Sequence, residues 1–143
     1  MGWWTILALW AGHALASPST AARPAAENPA RLDWRPVGAM EVAATETTIG
    51  QFRRWVAATG TQTAAERAGG GQIYEGGWVQ RRGWTWAQPF GSGHTPRDDE
   101  PAVHVTFDEA RAFCAWAGGR LPREVEWRSA AYTEQRSQPP APF

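Results

Sequence analysis

The chain reads as a single α+β domain, loop-rich, with short strands and helices set between irregular segments. Three observations carry this. Two threonine-headed capping boxes, Thr48-Ile49-Gly50-Gln51 and Thr106-Phe107-Asp108-Glu109, each open an amphipathic stripe. Short strand-like runs lie at Met40–Thr45 and Val103–Phe107. Between them, residues 60 to 100 join glycine clusters to the aromatic anchors Tyr74, Trp78, Trp84, Trp86 and Phe90. A length of 143 residues leaves room for one domain with a real core.

Residues 1–16 hold no charged side chain, and their apolar run falls short of the ~20 residues that a membrane span needs. Ala14-Leu15-Ala16 before Ser17 fits a small-x-small cleavage site, so this segment is expected to be a signal peptide and the protein to be exported, periplasmic or secreted. Residues 17–31, with three prolines among small polar residues, read as a flexible leader. Residues 32–134 form the expected domain, and residues 135–143, with Pro139, Pro140 and Pro142, a disordered tail.

Within the domain, Met40–Thr45 is the first strand. The Thr48 box starts a helix over residues 49–59, with Ile49, Phe52 and Val56 on one face, Trp55 beside them and Gly60 as its stop. Residues 60–100 are expected to be mostly loop, packed by their aromatics. Val103–Phe107 alternates as a strand through His104 and Thr106. The Thr106 box then starts a second helix with the stripe Phe107, Ala110, Cys114 and Ala117, ended by Gly118-Gly119. Pro122 opens a third, with Glu124 and Glu126 early and Val125, Trp127, Ala130 and Ala131 apolar.

All 14 basic residues are arginine and 14 acids balance them, so no charge excess points to nucleic acid or an anionic membrane. Ten tryptophans suit a fold that fills its core with little regular structure. Cys114 is the single cysteine, so no internal disulfide forms. On an apolar helix stripe it reads as a small buried hydrophobe; a copper ligand or nucleophile needs exposure and a second soft donor. His94, Asp98, Asp99, Glu100 and His104 lie close in sequence. Their side chains suit a divalent cation, but the spacing fits no defined metal loop. Pairing with Arg97 and capping of loop amides is the plainer reading for the acids, and an inward hydrogen bond for His104. Arg120 is either a charge at a helix C-terminus or a bidentate partner for a carboxylate. Glu124 and Glu126, two apart on a helix, point to different faces and make no acid–base pair.

Three blocks resemble the formylglycine-generating enzyme, or sulfatase-modifying factor, family. They are MEVAATETTIGQFRRWVAATG (residues 40–60), the Trp84–His104 segment, and Phe107–Ala131 with CAWAGGRLPREVEW at its centre. The resemblance implies a C-type-lectin-like α+β fold, loop-rich and here apparently truncated to the N-terminal part of the domain. It implies an oxidoreductase that converts a substrate cysteine to formylglycine and so activates sulfatases. Relatives act as iron-dependent sulfoxide synthases or as binding modules. In the generating enzymes a cysteine pair binds copper and calcium supports the fold. Neither the pair nor the Asn-Val-Trp-Glu-Trp and Arg-Gly-Gly-Ser-Trp blocks occur here, so no residue of this chain inherits a catalytic, cofactor-binding or metal role, and the chain alone is expected to be inactive. A sulfatase-like polypeptide substrate or another protein is the implied partner. The alternatives are a non-catalytic binding or accessory module on the same scaffold, with Trp78, Trp84 and Trp86 lining a peptide or glycan groove, and a fragment of an iron-dependent sulfoxide-synthase relative.

Overall fold

The computed structural model describes residues 27–131. The expected signal peptide, the first part of the leader and the tail lie outside them. In order come β1 (Trp34–Val37), β2 (Met40–Ala43), α1 (Ile49–Thr59), α2 (Ala64–Arg67), β3 (Gly70–Tyr74), β4 (Trp78–Arg82), a 3-10 turn (Gly91–Gly93), α3 (Phe107–Trp116) and α4 (Glu124–Ala131). Among the described residues the strands form two separate antiparallel hairpins, β1 with β2 and β3 with β4. Helices set beside small antiparallel sheets make the α+β class plain.

α1 forms where its sequence predicts. The Thr48 hydroxyl accepts from Gln51 N at 3.3 Å, and Gln51 Oε1 accepts from Thr48 N at 2.9 Å. Two further donors of its first turn are taken by a loop, Ile49 N donating to Glu100 O at 2.8 Å and Gly50 N to Asp98 O at 3.0 Å. The otherwise orphaned amides of the helix start are thereby satisfied. Gly60 ends the helix at φ 67, a left-handed backbone that glycine adopts without a Cβ clash.

α1 buries Ile49, Phe52 and Trp55, and the core is aromatic. The Phe52 ring centre lies 4.8 Å from Trp55, 5.3 Å from Trp86 and 5.6 Å from Phe113 of α3. Ala30, Leu32 and Ala117 complete it. Burying one such phenylalanine contributes about 1.5–3 kcal/mol. Ala30 is fully buried, and Asn28 grips Leu32 through both its amide nitrogen and its Oδ1, each at 2.8 Å. The last residues assigned to the leader, 28–31, therefore belong to the packed domain.

Several expectations give way here. Val103–Phe107 is not a strand: among these residues His104 turns to φ 58, which breaks the alternation, and the nearest pairing is a single bridge between Thr48 and Pro101. Residues 60–100 are more than loop. Thr63 opens α2 with a capping box of its own, and β3–β4 is a five-residue ladder from Gly70↔Arg82 to Tyr74↔Trp78. The glycines that look like breakers are demanded by crowding: a Cβ on Gly70 would lie 2.1 Å from Arg81 O. β1 has no counterpart in the sequence reading, β2 stops at Ala43, and α4 starts at Glu124 instead of Pro122. Of the five expected anchors only Trp86 joins the core; Tyr74, Trp78 and Phe90 are exposed.

Candidate functional site

A broad concavity lies where the β1–β2 hairpin meets α3, α4 and their connection. It is a cleft of about 690 Å³ whose lining includes Trp34, Met40, Phe113, Cys114, Glu126 and Trp127. The hairpin packs closely on the end of α3, since a Cβ on Gly119 would lie 2.8 Å from the Trp34 ring. The α3–α4 connection is short because Gly118, at φ 81, turns the chain out of α3, and Gly119 N then donates to Cys114 O at 2.8 Å.

Cys114 sits on this cleft, half-buried and unpaired. Burial pushes its thiol above the ordinary cysteine value by penalising the thiolate. It is thus less buried than the stripe implied. The buried side of α3 runs instead through Glu109, Phe113 and Ala117, while Phe107 is 71% exposed. Phe113 and Ala117 take the core-facing positions of α3, with Phe113 stacked on Phe52, and Cys114 packs at the edge of that core. Alkylation of Cys114 by iodoacetamide is expected to be slower in the native chain than in the guanidinium-unfolded chain at the same pH. An equal or faster native rate would show an activated thiol.

The His94–His104 segment does not converge on one point. His94 Nε2 and Glu100 Oε2 lie 2.7 Å apart, Arg97 grips Asp99 with 2.9 and 2.6 Å bonds, and Asp98 pairs with Arg53 of α1. His104 Nε2 donates to Pro89 O at 3.1 Å, facing inward as expected but from a turn. Among the described residues no three His, Cys, Asp or Glu side chains are placed to share a cation. Hard-cation chemistry needs six or more oxygen donors around calcium, and Cu(I) favours paired thiolates. The one thiol gives no such pair, and Asp98 and Asp99 are held by arginines, so among the described residues this set suits neither group.

Arg120 takes the bidentate role. Its two terminal nitrogens each reach Glu126 at 2.7 Å, but Arg120 itself is 58% exposed. Arg123 N adds a bond to Glu126 at 2.8 Å, so one carboxylate caps α4 and ties it to the connection. Glu124 faces elsewhere and pairs with Arg128 at 2.8 Å. The bonds from Arg120 and from the Arg123 amide hold the Glu126 carboxyl well below the usual carboxylate range. Such a depressed group adds stability that is complete above its ordinary value of 4.5 and fades as the pH falls through the folded one. The α4 amides are therefore expected to lose hydrogen-exchange protection on acidification below about pH 4 in the native chain, while Glu126→Gln lacks much of this protection already at pH 7. Identical α4 profiles for both proteins would contradict this.

A residue whose full role the sequence did not reveal is Glu109. Its Oε2 accepts from Thr106 N at 2.8 Å, closing the α3 box, and its Oε1 accepts from Ala64 N of α2 at 2.6 Å. One buried carboxylate thus caps two helices. Only the α3 half of this was written in the local spacing.

Against this geometry, the sulfatase-modifying factor enzyme 1-like domain matches residues 10–139, and the chain belongs to that family. The formylglycine-generating enzyme of Bos taurus is 32% identical over 111 residues, 64% of this chain and 30% of the relative. That of Streptomyces coelicolor is 36% identical over 106 residues, 61% of this chain and 34% of the relative. The inactive C-alpha-formylglycine-generating enzyme 2 of Bos taurus is 52% identical over 48 residues, 32% of this chain and 16% of the relative. The chain thus spans about a third of the length of the two formylglycine-generating enzymes.

Proposed function

We propose that this chain provides scaffold for a lectin-like, formylglycine-generating domain on an exported protein, and that it does not oxidise a cysteine by itself. The family supports the reaction class and a sulfatase-like polypeptide as its substrate. The observation that carries the second half is the chemistry of Cys114. It is the one thiol of the chain, half-buried, with its pKa pushed up. A copper centre of the kind the family resemblance implies asks for two thiolates, and no step through copper is assigned to these residues. What this chain's residues do is structural: Phe52 and Phe113 set α1 against α3, and Glu109 fixes α2 to α3. Incubation of the purified chain with a sulfatase-derived cysteine peptide, copper and oxygen is expected to return the peptide unchanged by mass spectrometry. Recovery of formylglycine aldehyde would sink the proposal.

A second reading, a non-catalytic binding module, is favoured by the match to an enzyme named inactive and by the exposed Tyr74–Trp78 pair on β3–β4, with ring centres 5.8 Å apart. Binding of the same peptide without oxidation, lost in Trp78→Ala, is the result that would select it.

A further inference from the structure

A second, smaller cavity lies on the opposite hairpin, and its chemistry is independent of the scaffold reading. It holds about 300 Å³ between α2, β3–β4 and the turn before α3, bounded by Ala65, Ala68, Gly71, Gln80, His104 and Val105 among others. A space of this size is at the lower end for small-molecule sites.

Its unusual feature is His104. The residue holds φ 58, a backbone region that carries a cost for a side chain with a Cβ. Pro89 O only accepts, so His104 Nε2 must carry the hydrogen of their 3.1 Å bond. In the neutral ring that leaves Nδ1 as a bare acceptor. Nδ1 lies against Gly71, where a Cβ would come within 2.4 Å of it, and Gly71 lines the cavity. The Trp84 ring, 5.8 Å away, supports the imidazole. Gln80 adds a second acceptor, because its Nε2 is already spent on Ala68 O at 2.9 Å and Gly70 O at 3.2 Å, which leaves Oε1 as the free end of the amide. The α2 side of the lining is small and apolar through Ala65, Ala68 and Val105, and Gln72 and Thr106 add polar groups at its rim.

From this we infer that the cavity is a binding site for a compact neutral ligand, or a side chain of a partner peptide, that donates N–H or O–H to His104 Nδ1 and buries a short aliphatic body against the α2 alanines. Where the ligand meets His104 Nδ1 and Gln80 Oε1, these two acceptors select a primary amide over the isosteric carboxylate, which has no hydrogen to give and meets two lone pairs.

The test is nitrogen and amide NMR on the full chain with isobutyramide as probe and isobutyrate as its donor-free counterpart. In the free protein the neutral His104 ring is expected to show an unprotonated Nδ1. Isobutyramide is expected to shift Nδ1 and the Gly71 and Val105 amides saturably, with a dissociation constant on the order of 1–10 mM. Isobutyrate is expected to leave them unmoved. Ala68→Leu, which fills the cavity, and His104→Asn, which tolerates positive φ, are each expected to weaken the response about tenfold or more. A protonated Nδ1 in the neutral ring would overturn the inference on the unmodified protein alone. So would equal responses to both probes, no saturable response, or unchanged binding in the folded variants.

Discussion

Replacing Phe52 with alanine is expected to lower the stability of the domain by about 3–5 kcal/mol, the largest effect of any single side chain here. The ring is 1% exposed and stands at the centre of the core, within 5.6 Å of Trp55, Trp86 and Phe113. Two terms add. The transfer free energy of a buried phenylalanine is lost, and three rigid aromatics cannot collapse into the space it leaves. Phe52→Leu retains most of the volume and is expected to lose roughly half as much. Thermal denaturation measures this, with the alanine midpoint falling by on the order of 10–20 °C for a domain of this size. A fall of only a few degrees would mean that α1 and α3 are held together by something other than this stack.

Glu109→Ala comes next, with an expected loss of about 2–4 kcal/mol. The magnitude follows from geometry. Glu109 is only 9% exposed, and its carboxylate accepts from Ala64 N and Thr106 N at 2.6 and 2.8 Å. Truncation strands two backbone donors at once, each at a helix start where the partial positive charge is concentrated. Glu109→Gln keeps one acceptor and turns an NH2 toward the other donor, so it is expected to lose a good part of the same stability despite its near-identical shape. Hydrogen exchange locates the effect. Protection of the Ala64 amide is expected to fall along with that of Thr106, although they lie in different helices. Loss confined to Thr106 would mean that the α2 contact contributes nothing.

These two residues also mark what was readable in advance. α1 and α3 were legible because each pairs a threonine capping box with apolar residues at helical spacing, two local signals that agree. Phe52 and Phe113 could be placed on their helices, but not against each other. The β3–β4 hairpin was hidden because Gly69, Gly70 and Gly71 read as breaks within a packed loop, whereas close approach of Arg81 and His104 is what excludes larger residues at Gly70 and Gly71. Val103–Phe107 failed for the converse reason: its alternation was genuine, but no neighbouring strand pairs with it along its length and His104 reverses the backbone. At the candidate site, the Arg120–Glu126 grip was one of two readings that spacing left open. The removal of Asp98 from this cluster depends on Arg53, forty-five residues away, and no local rule contains that partner. The family, by contrast, was carried by blocks of consecutive residues, and it survives comparison over residues 10–139.

The central claim is that the residues of this chain build scaffold and hold no copper–thiolate centre. Cu(I) titration of the reduced full chain against a chromophoric chelator, alongside Cys114→Ser, tests it most directly. The expected result is that the chelator retains the metal and that the two proteins behave alike. Tight, stoichiometric Cu(I) uptake that disappears with Cys114 would contradict it.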